Sequence, residues 1–258
     1  ATLKQSVWIV EKNLSTPDSL RDILTAIVKN NSLIVGSGIA FIPEYYKEKG
    51  KYFMPYAFSI NEGEEEIINF LKLGGADYDY PCMDWYLIPK LLKKSYWSEP
   101  YYDTGGGNTI MSTYSLPLCN QQGEVYAIFT ANISLSRFTD MVNELKPYQS
   151  SYTFLLSRNG SFLTHPDREK IMNETIFSVA LSNNDNQEEE IGHNMLDGLT
   201  GTAQFDSAKQ SSYALYTAIP NCGWSICTVC PSEVILHSLD RTSHRIIYVF
   251  LIGMLVLL

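Results

Sequence analysis

The chain has 258 residues, 45% of them hydrophobic, and a formal net charge of −9. This length allows one large domain or two smaller ones, and the apolar content is sufficient for a core without structural metals or disulfide bonds. The negative charge argues against a nucleic-acid partner, which would require a basic surface, and more weakly against docking flat on anionic lipid.

The first third of the chain predicts helices followed by a mixed region. Apolar residues recur at helical spacing over Ala1–Val28, where Pro17 predicts either a kink or the start of a second helix. The apolar run Leu33–Ile42 predicts a strand, and Asn61–Leu73 predicts a glutamate-rich helical turn that ends at two glycines.

The stretch from Tyr78 to Ser134 is the most informative part of the chain. A short helix is predicted over Trp85–Lys94, and two strands, Thr109–Leu118 and Val125–Ile133, flank a tight-turn signal at Asn120–Gly123. Aromatic rings with polar tips suit the wall of a pocket, although a filled sheet core with tyrosines at its edge would look similar. The aromatic clusters contain Tyr78, Tyr80, Trp85, Tyr86, Trp97, Tyr101 and Tyr102.

The second half of the chain predicts another mixed module. A helix over Leu135–Leu145 ends before Pro147, which places a domain boundary near residues 146–151. The elements expected after it are a hairpin of Tyr152–Leu156 and Ser161–Leu163, a helix over Arg168–Leu181, an acidic loop over Ser182–Glu190, strands over Gly201–Phe205, Ser212–Ile219 and Trp224–Val229, and a helix beginning at Pro231.

The C-terminal segment predicts a membrane location. Ile246–Leu258 has no charged residue but is shorter than the roughly 20 apolar residues that span a bilayer, so it is interpreted as the outer half of a membrane span. A buried C-terminal helix is the alternative. The flanking Arg241, His244 and Arg245 would then lie on the outer side, against the positive-inside tendency.

The reactive residues do not form a catalytic or metal-binding signature. The cysteines are odd in number, so at least one is free, and Cys227 and Cys230 would point to opposite faces of a strand. The four histidines all lie in the second half without a recognisable partner pattern. We therefore predict no catalytic site, no metal site and no cofactor, so the chain itself is not expected to be an enzyme.

Several motifs resemble, in the same order, those of the double Cache sensors of bacterial transmembrane receptors. They are Asp84-Trp85-Tyr86, Trp97–Tyr101 with Asp103, Met111–Pro117 and Ala131–Leu135. The resemblance implies an α+β fold of two PAS-like α/β modules with antiparallel sheets, stacked on a long N-terminal helix. The implied divisions are an N-terminal signalling helix at 1–31, a membrane-distal ligand-binding module at 32–147, a membrane-proximal module at 148–230 and a C-terminal helix entering the membrane at 231–258.

The same resemblance implies a function in signalling. The chain would be the small-molecule-sensing region of a receptor in the bacterial inner membrane, lying in the periplasm or outside the cell, with the membrane contacted through flanking helices and the full-length receptor a homodimer. A dimerisation or scaffold module without a ligand is the alternative. The Asp84-Trp85-Tyr86 form is more similar to sensors of histidine kinases or serine phosphatases than to the R-x-W-Y form of chemoreceptors, so a two-component system is expected.

The resemblance also implies a ligand site in the distal module. Met83 stands where amino-acid-binding relatives have an Arg for the ligand carboxylate, and Asn132 stands where they have an Asp for the ligand ammonium. Losing both charged anchors predicts a less polar or neutral ligand, aromatic or sugar-like, unless Lys72 or Lys90 replaces the Arg. The site residues expected on this basis are Tyr78, Met83, Trp85, Tyr86, Trp97, Tyr101, Asp103, Tyr114 and Asn132.

Overall fold

The chain divides into two compact units, Ala1–Phe138 (unit 1) and Thr139–Leu258 (unit 2). The computed structural model describes residues 2–62, 65–75, 78–104, 109–144, 146–207 and 210–235. The division falls inside the helix Leu135–Glu144, a few residues before the boundary expected at 146–151.

Unit 1 is built on a seven-stranded antiparallel sheet. Its strand order is β3-β2-β1-β7-β6-β4, and β5 also pairs with β6. The strands are β1 (Ile34–Phe41), β2 (Met54–Glu62), β3 (Glu65–Leu73), β4 (Tyr96–Trp97), β5 (Tyr101–Tyr102), β6 (Ile110–Cys119) and β7 (Val125–Ser134).

Two helices, α1 (Thr2–Lys12) and α2 (Leu20–Lys29), cover one face of this sheet, here called the helix face. The expectation of a single long N-terminal helix is therefore wrong for the described residues. Pro17 begins a 3₁₀ turn between the two helices, because proline fits the first turn of a helix but cannot donate in its interior. The core on this face includes Leu3, Val10, Leu20, Leu24, Ile39, Phe41 and Phe129.

The opposite face, here called the aromatic face, is covered by the segment that leads from β3 to β6. This segment contains helix α3 (Asp84–Leu92) and the short strands β4 and β5. Alternation along the strands assigns side chains to the two faces: Ala57 lies in the helix-face core, whereas Met54 and Tyr56 pack with α3.

The segment Asn61–Leu73, predicted as a helical turn, forms strands in its described residues: Asn61 and Glu62 end β2, and Glu65–Leu73 is β3. β3 pairs with β2 along its whole length, from Met54 opposite Leu73 to Glu62 opposite Glu65. Ile68 and Phe70, two residues apart, pack against the helix-face core. The prediction failed because a short apolar run fits both periods, and only the neighbouring strand supplies the ladder that decides between them.

Unit 2 has a five-stranded antiparallel sheet in the order β10-β11-β12-β8-β9, packed on two helices. Its elements after α4 (Leu135–Glu144) are β8 (Tyr152–Leu156), β9 (Phe162–Thr164), α5 (Ile176–Asn183), α6 (Asn186–Leu196), β10 (Gly201–Ser207), β11 (Gln210–Ile219) and β12 (Trp224–Pro231).

Two predictions in unit 2 are corrected by helix caps. The expected acidic loop Ser182–Glu190 is in large part α6, because the Asp185 carboxylate accepts the backbone N–H groups of Gln187 and Glu188 and so caps the helix. The helix expected over Arg168–Leu181 is a 3₁₀ turn followed by α5, which begins at a capping box formed by Thr175 and Ser178.

No helix within the described ranges is long and apolar enough to cross a membrane. The segment Ile246–Leu258, predicted to be half of a span, and most of the predicted C-terminal helix lie outside the described residues, which end at 235.

Candidate functional site

Tyr56 on β2 lies at the centre of the aromatic face because β1 carries glycines beneath it. A Cβ at Gly38 would come within 2.9 Å of the Tyr56 ring, and one at Gly36 would collide with the Tyr56 hydroxyl. Two glycines spaced by one residue on the same face therefore make room for a large ring. This arrangement places the Tyr56 hydroxyl, fully buried, against β7.

A hydrogen-bonded chain crosses the floor of the aromatic face. The Tyr101 hydroxyl lies 2.6 Å from Thr113 Oγ1, which donates to Asn132 Oδ1 at 3.2 Å, and Asn132 Nδ2 donates to the Tyr56 hydroxyl at 2.8 Å. Because Thr113 uses its hydrogen on Asn132, Tyr101 donates to Thr113. The chain joins β5, β6, β7 and β2 and fixes the orientation of the Asn132 amide.

Asp103 places a carboxylate beside three of the phenols. Its side chain is only 4% exposed, and its backbone N–H donates to the carbonyl of Thr109. Burial is the main cause that raises the pKa of Tyr56, Tyr78 and Tyr101, and the negative charge of Asp103 also raises each of these pKa values. The three hydroxyls are thus protonated at neutral pH and lie near one buried carboxylate.

A second aromatic group on the same face surrounds α3. The Tyr80 hydroxyl donates to the Phe41 carbonyl at 2.6 Å and accepts the Phe53 N–H at 3.2 Å. The Tyr80 ring lies 5.2 Å from that of Tyr86, which lies 6.2 Å from Trp85. These contacts anchor α3 to the sheet and make Trp85 and Tyr86 part of one buried cluster with Tyr56, and Tyr78 and Tyr101 pack against it.

Tyr86 differs from Tyr80 in the state of its hydroxyl. Tyr86 is fully buried, and its hydroxyl has no hydrogen-bond partner within the described part of the chain. Burial raises the pKa of Tyr86 to about 12. A buried donor without a partner costs about 1–3 kcal/mol, so this hydroxyl is available to a molecule that enters the cluster.

Six of the nine predicted site residues lie together on the aromatic face: Tyr78, Trp85, Tyr86, Tyr101, Asp103 and Asn132. Trp97 and Tyr114 instead contact each other across β4 and β6 with their rings tilted by 50° and the ring centroids 5.1 Å apart, and Tyr114 packs against the helix-face core. Met83 precedes α3 and is 40% exposed.

The two lysines considered as replacements for an Arg are also separated. Lys72 extends to Asp18 on the helix face, with 3.4 Å between Nζ and Oδ1. Lys90 Nζ lies 5.3 Å from the centre of the Tyr86 ring, one turn further along α3. Of these two lysines, Lys90 is therefore the one that borders the aromatic cluster.

Sequence reasoning missed Tyr56, Tyr80 and Thr113 as members of the site. Because side chains alternate along a strand, Met54 and Tyr56 lie on one face of β2, and Gly36 and Gly38 lie on one face of β1. This sequence pattern could have indicated Tyr56 as a member of the site. The bonds of Thr113 and Tyr80 were not predictable, because they depend on which strands become neighbours. Residues 76–77 and 105–108, adjacent to Tyr78 and Asp103 in the sequence, lie outside the described residues.

Comparison with known proteins gives the context of this geometry. Residues 20–140 match the sequence model of the first PDC sensor domain of methyl-accepting chemotaxis protein-like receptors. The chain is 27% identical over 144 residues to the methyl-accepting chemotaxis protein PscA of Pseudomonas syringae, covering 56% of this chain and 21% of PscA. It is 28% identical over 97 residues to PctB of Pseudomonas aeruginosa, covering 38% of this chain and 15% of PctB. The chain thus spans only about a fifth or less of these relatives.

Solved structures share the fold over most of the chain. The extracellular domain of the predicted histidine kinase mmHK1S-Z3 is similar with a TM-score of 0.71 and 21% identity, covering 93% of this chain and 91% of that one. That of the predicted histidine kinase soHK1S-Z6 gives 0.63 and 26% identity, with 88% and 82% covered. The ligand-binding domain of PctB in complex with L-Arg gives 0.56 and 15% identity, with 88% and 77% covered.

The two antiparallel α/β units, the buried aromatic cluster and these matches agree with one another. Residues 20–140 match the first PDC sensor domain of chemotaxis-type receptors, and most of the chain shares the two-unit fold of bacterial receptor sensor domains.

Proposed function

We propose that unit 1 binds a small organic molecule on the aromatic face and that this binding is the input of a membrane-bound receptor. The observation that carries the proposal is the convergence of the phenols of Tyr56, Tyr78 and Tyr101 on the Asp103 carboxylate, over the Thr113–Asn132 floor. Buried polar atoms beside large apolar faces are the composition of a ligand site. Catalysis belongs to an output module outside this chain.

The ligand class follows from the charges of the cluster. Asn132 uses its amide within the floor, and Met83 is exposed, so neither supplies a charged anchor for an α-amino acid. Asp103 supplies a negative charge that the sequence-based expectation of a neutral ligand did not weigh. Aromatic faces attract cations by about 0.5–2 kcal/mol, and a hydrogen bond to a charged group contributes about 1.5–3 kcal/mol. We therefore propose a small amine or other organic cation that needs no α-carboxylate.

The relatives support a proposal for the location of the chain and for its output module. PscA and PctB are named as chemotaxis proteins, and the structural neighbours include histidine kinases, so the output module is either a chemotaxis signalling region or a kinase. We propose that the chain lies in the periplasm, that flanking helices anchor it in the inner membrane, and that the receptor signals as a homodimer. Ligand would favour one arrangement of the sheet and its covering segment, and helix movement would carry this bias to the membrane.

A thermal-shift panel of amines, amino acids, organic acids, sugars and aromatic alcohols tests the proposal. Saturation at about a hundred times the dissociation constant stabilises a protein by ~2.7 kcal/mol, a shift of about 2–4 °C for a chain of this size. Amines should raise the melting temperature of the chain, whereas matched alcohols and α-amino acids should raise it less.

Variants of two acids on the covering segment provide the test and its control. Asp103→Asn should weaken binding of an amine by about tenfold or more, while Asp84→Asn, an exposed carboxylate on the same covering segment, should leave it unchanged. Equal affinity of an amine for wild type and Asp103→Asn would contradict the proposed cation site. A panel without any stabilising compound would favour the scaffold alternative.

A further inference from the structure

A separate cavity opens on the helix face of unit 1, where α2 begins. Its volume is about 570 Å³, within the ~300–1,000 Å³ range of small-molecule sites. Phe53, Pro55, Phe70 and Leu71 supply apolar surface from β2 and β3, and Pro17, Asp18, Arg21 and Lys72 supply the remaining wall. None of the residues that line this cavity belongs to the aromatic cluster around α3.

The charges at its mouth favour an anion. The Arg21 guanidinium lies 5.3 Å from the centre of the Phe70 ring and makes no hydrogen bond or ion pair in the described part of the chain. Lys49 and Lys72 both reach Asp18, with N–O distances of 3.2 and 3.4 Å. Two cations, Arg21 and Lys72, and one carboxylate thus line this cavity, and a third cation, Lys49, reaches that carboxylate, in a chain whose net charge is −9.

We propose that this cavity binds a small monocarboxylate with an apolar body. A guanidinium holds a carboxylate through two parallel N–H donors, and Arg21 is already oriented by its ring contact, so little side-chain entropy is lost when the anion arrives. Lys72 lies on the same wall and adds positive charge. The apolar body of the ligand would cover Phe70, Pro55 and Phe53, of which Phe53 is 5% exposed.

The two sites of unit 1 are independent in their residues but share a strand. Phe53 and Pro55 face this cavity, whereas Met54 and Tyr56 face the aromatic cluster. A molecule in the cavity therefore contacts the backbone that positions Tyr56 without touching the amine site. This separation makes the two proposals distinguishable by mutation.

The test uses the 258-residue chain and isothermal titration with benzoate and hexanoate, and with benzamide as the neutral match of benzoate. Wild type should bind at least one of the two carboxylates and should bind benzamide at least tenfold more weakly than benzoate. Arg21→Gln, which keeps the length of the side chain, should weaken carboxylate binding by about tenfold or more. Lys29→Gln, an exposed cation at the other end of α2, should leave it unchanged.

Several outcomes would overturn the inference. These are no binding of either carboxylate at millimolar concentration, equal affinity for benzoate and benzamide, or unchanged affinity in Arg21→Gln. Loss of benzoate binding in Asp103→Asn with no loss in Arg21→Gln would assign the carboxylate to the aromatic face instead. Failure of the amine proposal leaves this experiment interpretable, because Arg21 and Lys29, the residues changed in its main variant and its control, both lie on α2 and outside the aromatic face.

Discussion

The two units place helices against antiparallel sheets, yet they fill their cores with different chemistry. In unit 2 the core between the sheet and α5 and α6 is formed largely by Phe, Leu, Ile, Val and Met side chains. In unit 1 the aromatic face buries phenols, an amide, a threonine hydroxyl and a carboxylate. Similar architectures thus carry an apolar core in one unit and a polar aromatic layer in the other, and side chains rather than topology make the difference.

The difference has an energetic cost that argues for function. Polar atoms in a core destabilise a fold unless they are hydrogen-bonded. On the aromatic face, Tyr101, Thr113, Asn132 and Tyr56 are hydrogen-bonded to one another, whereas several other buried hydroxyls of unit 1, that of Tyr86 among them, have no partner among the described residues. A face kept only for packing would gain stability by replacing that tyrosine with phenylalanine.

The largest expected effect separates binding from packing. Trp85→Ala in unit 1 and Phe154→Ala in unit 2 each remove a buried ring, and each should destabilise its unit by about 3–5 kcal/mol. Only Trp85→Ala should also abolish the response to ligand. Urea unfolding gives the stability change, and titration at a temperature where circular dichroism shows a folded protein gives the affinity. A folded Trp85→Ala protein with wild-type affinity would contradict the assignment of the aromatic face.

A smaller effect compares two tyrosines of the same cluster. Tyr80→Phe removes a hydroxyl bonded to Phe41 and Phe53 and strands a buried N–H, so it should cost about 1–3 kcal/mol. Tyr86→Phe removes a hydroxyl without a partner in the described part of the chain, so stability should be unchanged or slightly higher while ligand affinity falls. Chemical denaturation and titration of both variants check this. If Tyr86→Phe lost stability and kept its affinity, its hydroxyl would be structural.

The smallest effect concerns acid stability in unit 2. His165 packs against Tyr152, Phe154 and Phe162, and burial, assisted by the charge of Lys170, lowers its pKa to about 4. Because this folded-state pKa is below the unfolded value of about 6.5, the neutral ring stabilises unit 2 above pH 6.5, and the contribution is lost as pH falls towards 4.

A variant isolates this contribution from other titrating groups. In the wild type, the His165 ring accepts a hydrogen bond from the Asp167 N–H at 3.0 Å. His165→Asn removes the titratable imidazole and retains an acceptor for this N–H. The stability difference between wild type and His165→Asn should shrink between pH 6.5 and 4, as measured by urea midpoints. His193→Asn, on an exposed position of α6, is the matched control. A difference that stays constant over this range would show that folding does not lower the pKa of His165.

Sequence alone determined the elements whose signals are local. The turn between β6 and β7 formed where Asn120 and Gly123 predicted it, because the Asn120 side chain accepts the N–H groups of Gln122 and Glu124 within four residues. The helix α3 was also predictable, as was the aromatic character of the segment around it. The sensor fold was predictable from motifs whose residues lie close together in the chain.

Only the tertiary structure decided which side chains meet. Tyr56 and Asn132 are 76 residues apart and become partners because β2 and β7 flank β1. Strand pairing also made β3 from a run that fits a helix, and it placed Trp97 and Tyr114 on the helix side, away from the other predicted site residues. A strand alternates its side chains between two faces, and the face that becomes a site is set by the layer that covers it, which local sequence does not encode.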